Sequence, residues 1–291
     1  MIKSILAKTI LSKVKNAPEP FFGLSYNMNL YRGCQHACIY CDSRSSVYGI
    51  KNFRDIEIKE NALELLEKEL RSKRVKGTIS FGSMNDPYMP VDQQTELTRD
   101  ALKIINRYRF PVHIITKSTN VLRDIDLLQQ TSKTYAAVSF SITAANVKLS
   151  KIIEPGAPVS SERFNAIREL NKSGVYSGMV LTPVLPFITD SKENIEELVQ
   201  LANEYEAKYI LGWMGMTQRN GQREYYYREL DRLFPGIKAK YIHQFGNEYF
   251  CAARDFKELE KHFYHICKQY HIPNQMEFFE SKEPEQLNLF S

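Results

Sequence analysis

No apolar run in this chain approaches the about 20 residues that a membrane-spanning helix needs, so nothing in it reads as a span. Tryptophan occurs once, and neither an internal repeat nor a low-complexity stretch stands out, which sets aside solenoid and disordered classes. Cysteine is sparse, five in 291 residues, and the odd number argues against a secreted disulfide framework. Charge is nearly balanced: a formal net charge of +5 and a pI near 8.8 mildly favour an anionic partner without identifying one. The densest basic run, Arg71 to Lys76, follows a predicted helix and reads as a solvated helix end with cations at the negative pole. The opening residues mix basic and apolar types without a continuous apolar core, so no signal peptide is expected and the expected location is cytoplasmic.

What is present is alternation. Short runs rich in β-branched and aromatic residues predict strands at Tyr26–Tyr31, Thr78–Phe81, Val112–Thr116, Tyr135–Phe140, Tyr176–Thr182 and Lys208–Trp213. Between them lie helical stripes. Leu97, Ala101, Ile104, Ile105 and Tyr108 make one. Ile195, Leu198, Val199, Ala202 and Tyr205 make another, with Asp190 and Glu193 as its expected capping box. Phe164, Ile167 and Leu170 form a third, started by Ser160 or Ser161 and stopped by Gly174. Such repeated alternation implies an α/β fold with a parallel sheet, either a full or partial barrel or an open doubly wound sheet. The expected division is an arm over 1–22, a core over 23–215, a helical extension over 216–273 and a flexible tail over 274–291.

Three of the five cysteines, Cys34, Cys38 and Cys41, fall within eight residues in the spacing C-x3-C-x2-C. A zinc site would draw His36 into a Cys3His set, but no second ligand arm appears. Three unrelated structural thiols would rarely crowd so closely. An iron–sulfur cubane is normally held by four cysteines, and three would leave one iron open to a chelating ligand.

The spacing, with Tyr40 before the last cysteine, resembles the radical S-adenosylmethionine (SAM) superfamily. The string Asn29-Leu30-Tyr31-Arg32-Gly33-Cys34 is similar to its spore photoproduct lyase-like branch. So, in order, are Asn85 to Pro90, Thr116-Lys117-Ser118, Arg123-Asp124, Phe140-Ser141-Ile142 and Glu154 to Pro158. The resemblance covers about residues 23–215. It implies a partial (β/α)6 barrel of the TIM type, with Cys34, Cys38 and Cys41 holding one [4Fe-4S] cluster. SAM would chelate the open iron, and an electron from the cluster would cleave it to methionine and a 5'-deoxyadenosyl radical that abstracts a substrate hydrogen. By the same resemblance Lys117 would meet the SAM carboxylate with help from Ser139 and Ser141. The turn Ser83, Asn85 and Asp86 would meet the amino group. A reductant such as flavodoxin or ferredoxin is implied as electron donor. The predicted strand ends at Cys34, Ser83–Asp86, Lys117 and Ser141 agree independently, since in a parallel barrel those ends share one face.

Two positions depart from the lyase pattern. Ser83 stands where the lyase has its hydrogen-donating cysteine, and Asp42 follows Cys41 where the lyase has tyrosine. Tyr40 and Tyr88 are candidate catalytic residues, Tyr88 as a radical relay. Cys251 and Cys267 are candidate donors or ligands, although Cys267 falls on the apolar face of its helix. The run Tyr225 to Tyr227 reads as helix surface and packing rather than a base-stacking platform.

The end of the chain, Gln286-Leu287-Asn288-Leu289-Phe290, resembles the pentapeptide that binds the bacterial DNA polymerase sliding clamp. Leu287, Leu289 and Phe290 would fill an apolar pocket and Gln286 would fix register. The expected function is therefore hydrogen abstraction from DNA or a DNA-associated substrate. The alternatives are a radical SAM enzyme acting on protein, tRNA or a small molecule, and a non-catalytic iron–sulfur or zinc module recruited to the clamp.

Overall fold

The computed structural model describes residues 1–50 and 52–280, so Gln286, Leu287, Leu289 and Phe290 of the clamp-like motif lie outside the described residues. In chain order the strands are β1 (Ile2–Ile5), β2 (Leu11–Lys13), β3 (Leu24–Met28), β4 (Tyr31–Arg32), β5 (Ile56–Lys59), β6 (Thr78–Phe81), β7 (Val112–Thr116), β8 (Ala136–Ser141), β9 (Tyr176–Leu181), β10 (Ile210–Gly212), β11 (Gly215–Thr217) and β12 (Phe250–Ala252). The main sheet runs β10-β9-β8-β7-β6-β3-β2. Its strands β3, β6, β7, β8, β9 and β10 are all parallel and neighbour one another in sequence order; β2 pairs antiparallel with β3 on the edge. Serial order with helical crossovers is what the expected partial (β/α)6 barrel requires, rather than a doubly wound sheet with its reversal of strand order.

The crossovers form because their apolar residues recur on one face. Helix Leu97–Tyr108 buries Leu97, Ala101, Leu102, Ile104 and Ile105. Helix Lys192–Glu204 buries Ile195, Leu198, Val199 and Ala202. Helix Ser160–Lys172 ends before Gly174, whose φ of +78° is cheap only for glycine. These stripes meet Val112, Ile114, Val138, Phe140 and Met179 on the outer face of the sheet in one core. Each fully buried aliphatic side chain there contributes about 1.5–3 kcal/mol. Truncating Ile105 to alanine would cost about 2–5 kcal/mol. Among the described residues no helix is long and apolar enough to cross a membrane.

Three expectations change. The cap of helix Lys192–Glu204 is Ser191, whose hydroxyl accepts from the Asn194 N–H at 3.2 Å, and not Asp190. Asp190 instead accepts from the Arg254 backbone N–H at 2.8 Å and pairs with its guanidinium at 2.8 Å, tying this crossover to the start of helix Phe256–Gln269. The segment expected as an arm contains β1, paired with β5, and β2, paired with β3. Of the expected tail, 274–280 packs under the barrel: Met276 is buried with Tyr209, Leu211 and Phe22, and Tyr135 donates to the Glu277 carbonyl at 2.6 Å. These residues close the end of the barrel where the strands begin.

Candidate active site

At the opposite end, beyond the C-termini of the parallel strands, the cysteine loop leaves β4 and folds over the barrel mouth. Cys34, Cys38 and Cys41 line one cleft together with Ser83, Asn85, Asp86, Lys117 and Ser141. Most of the residues expected at a site are therefore brought to one place. Gly82, just past β6, shows why that approach is possible: its φ is +94°, and a Cβ there would stand 2.1 Å from the Ile115 carbonyl oxygen.

The loop is held from behind by Glu154 to Pro158. The Ile39 N–H donates to the Ile153 carbonyl at 3.0 Å, and the Gly156 N–H to the His36 carbonyl at 2.9 Å. A Cβ on Gly156 would meet the Gln35 carbonyl at 2.3 Å, so only glycine allows this contact. His36 Nδ1 bonds the Gly156 carbonyl at 3.0 Å, and its Nε2 lies 3.1 Å from the Asp86 carboxylate, within ion-pair distance. It therefore braces the loop, which removes the histidine from a Cys3His zinc set. Among the described residues no three His, Cys, Asp or Glu side chains converge on a point that would hold a single metal ion.

The three thiols share the cleft in a buried setting. Burial, with Asp86 and Cys41 nearby, pushes Cys34 up to about 12. Burial also raises Cys38 and Cys41, partly offset at both by the Lys117 charge. Burial thus disfavours the thiolate form at all three. A cationic inorganic centre that ionises them suits the site, because bound metal supplies the charge that burial takes away.

Asp86 lines the cleft, but its carboxylate is already occupied. It accepts from the Tyr88 N–H at 2.9 Å, the Thr116 hydroxyl at 2.7 Å and the Lys117 N–H at 2.6 Å, with His36 as a fourth partner. Burial opposes its charge, yet His36 and these donors bring it down to about 2. It is a strut joining the cysteine loop to the ends of β6 and β7. Asn85 donates to the Tyr31 carbonyl and fixes the same turn. Ser83 is more open and exchanges hydrogen bonds with the Asn29 side chain at 3.1 Å.

Lys117 projects from the end of β7. Its ammonium donates to Ser141 Oγ at 2.9 Å, and Ser141 in turn donates to the Thr182 carbonyl at 2.8 Å. Behind it lies Glu154, 3.9 Å from Lys117 Nζ and 2.5 Å from Arg163 Nη2. Tyr40 donates to the same carboxylate. Burial works against the lysine charge, but Cys38 in its thiolate form and Glu154 outweigh it and the net shift is upward. Lys117 is thus a fixed cation at the cleft wall.

Two expected site residues lie elsewhere. Ser139 points into the barrel below the cleft, bonded to His113 Nε2 and the Tyr209 hydroxyl, each at 2.7 Å. A strand's period of two carries Ser141 toward the mouth and leaves Ser139 one layer beneath it. Tyr88 is fully buried and does not line the cleft. Cys251 and Cys267 are also buried and do not line the cleft, Cys251 in the core cluster that holds Cys38 and Met216 and Cys267 in another. Tyr226 is core, and Tyr225 stacks under the Arg44 guanidinium at 3.8 Å.

Trp213, which sequence reasoning missed, and Asp42 complete the rim. Trp213, at the end of β10, is 45% exposed, lines the cleft and stacks on Phe250 with centroids 5.2 Å apart and planes 7° from parallel. Asp42 reaches Thr217 Oγ1 at 3.2 Å and Arg219 Nε at 3.4 Å, joining the cysteine loop to β11. The single tryptophan at a strand end was the available signal for the rim.

A model of the radical SAM superfamily matches residues 28–202. An uncharacterized protein of Methanocaldococcus jannaschii is 32% identical over 197 residues, covering 66% of this chain and 73% of the relative. The radical SAM Nalpha-GlyT isomerase of Pseudomonas phage M6 is 24% identical over 191 residues, 64% of this chain and 39% of that protein. Among solved structures, a mutant of spore photoproduct lyase superposes with a TM-score of 0.70 at 16% identity, covering 94% of this chain and 80% of the lyase. Spore photoproduct lyase complexed with dinucleoside spore photoproduct superposes at 0.69, with 16% identity and 92% and 79% covered.

Proposed function

Because the chain belongs to the radical SAM superfamily and is a radical SAM enzyme, we propose that its cleft generates a radical for hydrogen abstraction from DNA or a DNA-associated substrate. The observation that carries this is the convergence of Cys34, Cys38, Cys41, Lys117 and Ser141 on one cleft at the strand C-termini. The superfamily implies a [4Fe-4S] cluster and SAM, and three buried thiols sharing one cleft with the Lys117 ammonium fit both. When bound, the pair supplies a 5'-deoxyadenosyl radical.

The chain's own residues have distinct tasks in this reading. Cys34, Cys38 and Cys41 hold the cluster. Lys117, steadied by Ser141, binds the carboxylate of SAM as a charge-assisted pair. The turn that starts at Ser83 faces the amino group; since Asp86 is saturated, its part is to hold that turn in place. Tyr40 caps the buried Glu154 beside Lys117. Ser139, Asn85 and Tyr88 support the scaffold.

Support for a nucleic-acid substrate comes from the rim. The stacked Trp213 and Phe250 offer a flat apolar face at the mouth, and aromatic faces of this kind hold bases with about 1–3 kcal/mol each. A protein with the same fold holds a dinucleoside spore photoproduct. Ser83, whose O–H is a poor hydrogen-atom donor, argues for a reaction other than that lyase's repair. The Gln286–Phe290 segment would bring the enzyme to the sliding clamp.

Anaerobic reconstitution tests the reading. The expected result is one cluster per chain and 5'-deoxyadenosine formed only when SAM and reductant are both present, with deuterium passing into it from a labelled duplex or modified nucleoside. Absence of 5'-deoxyadenosine would sink the radical reading; deuterium transfer only from a peptide or tRNA would sink the DNA one. Clamp capture unchanged by deletion of 286–290 would dismiss the tail motif.

A further inference from the structure

Residues of the cysteine loop alternate between two sides. Cys34, His36, Cys38 and Tyr40 line the cleft, while Gln35, Ala37 and Ile39 line grooves on the outer surface. At this point the wall between cleft and solvent is the cysteine loop with Pro155 and Gly156 packed beside it. The two outer grooves share Ala37, Arg54 and Pro155, so they form one continuous depression behind Cys38.

That depression is cationic. Arg44, Arg54 and Arg232 line it with one carboxylate, Glu229, which is already bonded to Arg232 at 2.5 Å. Arg54 is exposed, and the Arg232 side chain is 64% exposed. Arg44 is fixed: its guanidinium lies 4.5 Å from the Phe53 ring and 3.8 Å from the Tyr225 ring, and its Nε donates to the Cys38 carbonyl at 3.3 Å. Its Nη2 is buried without a hydrogen-bond partner. A hydrogen bond thus runs from the floor of the basic depression to the backbone of a cysteine that faces the cleft.

We infer that this outer face of the cysteine loop is the docking site for an acidic one-electron carrier protein that reduces the centre behind it. The inference rests on reading the three thiols as cluster ligands. Electron transfer weakens steeply with distance, and the cleft side is where cofactor and substrate sit, so the thin outer wall is the short route that remains open. Arginines in place suit carboxylates on a partner and steer its approach. In the transfer one electron leaves the carrier's hydroquinone flavin, which becomes semiquinone, and the cluster charge falls by one. No bond is made or broken.

The test uses the full chain and a reduced flavodoxin as probe. Reversing Arg54→Glu and Arg232→Glu together is expected to weaken flavodoxin binding in calorimetry by about tenfold or more and to remove its salt dependence. Stopped-flow reduction of the loaded protein by flavodoxin hydroquinone should slow comparably, while reduction by dithionite, which needs no docking, stays at the parent rate. The same reversal at Arg74 and Lys76, at the far end of the barrel, serves as control for net charge and should leave both readouts unchanged. Parent-like binding and reduction in the Arg54/Arg232 variant, or an equal loss in the control, would overturn the proposal. Should the parent take up no iron, the cluster reading fails, and calorimetry alone still decides whether the face binds the carrier.

Discussion

Glu154 and Arg163 form an ion pair 2.5 Å apart with both side chains essentially removed from solvent. Arg163 also donates to the Ser141 carbonyl at 2.8 Å and to the Pro158 carbonyl at 2.8 Å. The pair therefore joins the segment behind the cysteine loop to the end of β8, where Ser141 steadies Lys117. Burial opposes the charge on Glu154, but Arg163 and Lys117 keep it below the usual carboxylate range.

Removing one partner of such a pair leaves a buried charge alone. Glu154→Ala is expected to cost about 3–5 kcal/mol in denaturant unfolding. Glu154→Gln keeps the shape and a hydrogen bond to Tyr40, so it should unfold closer to the parent while binding SAM more weakly. Equal unfolding midpoints for the parent and Glu154→Ala would contradict this account.

Lys117→Ala removes the fixed cation of the cleft without touching a thiol. Loss of a charge-assisted hydrogen bond is worth about 1.5–3 kcal/mol, so SAM affinity should fall roughly ten- to hundredfold with iron content unchanged. Lys117→Arg should recover part of that affinity. Equilibrium dialysis with labelled SAM and iron analysis of the same samples decide it.

Single Cys→Ser changes at 34, 38 and 41 should each abolish stable iron loading and the absorbance that accompanies it. Cys251→Ser and Cys267→Ala should load as the parent does, because neither thiol lines the cleft. Iron lost in either of the latter two would require a different ligand set.

His113 makes stability depend on pH. Burial in the barrel holds it down to about 3, against an ordinary 6.5. The unfolded chain thus binds this proton where the folded chain does not, so its contribution is full above about pH 6.5 and is lost as pH falls toward 3. The slope from one such group is at most about 1.4 kcal/mol per pH unit. Between about pH 6.5 and 5 the parent should lose more stability than His113→Gln, measured by urea unfolding; parallel losses would contradict the assignment.

How far the sequence could be read depended on how local each signal was. The bounds of β6 and β7 match expectation because Gly77 and Pro111 mark where those strands begin. Lys117 and Ser141 were legible because a strand-end position fixes where a side chain emerges. Ser139 was misplaced by one layer, since two neighbouring serines on a buried strand give no hint of depth. The Glu154–Arg163 pair was invisible: its charges lie in a segment whose burial is decided by the cysteine loop far away in sequence. The role of His36 was hidden for the same reason, because its partner Asp86 is distant in the chain. Trp213 stands on a predicted strand, and only the packing of β11 against β12 shows it stacked at the mouth.

The packing of Met276 and Glu277 beneath the strand starts gives the molecule two poles. Chemistry occupies one, and the described chain ends at the other. A ligand entering the cleft meets no part of residues 276–280, so changes at Met276 would loosen the barrel floor without touching the mouth.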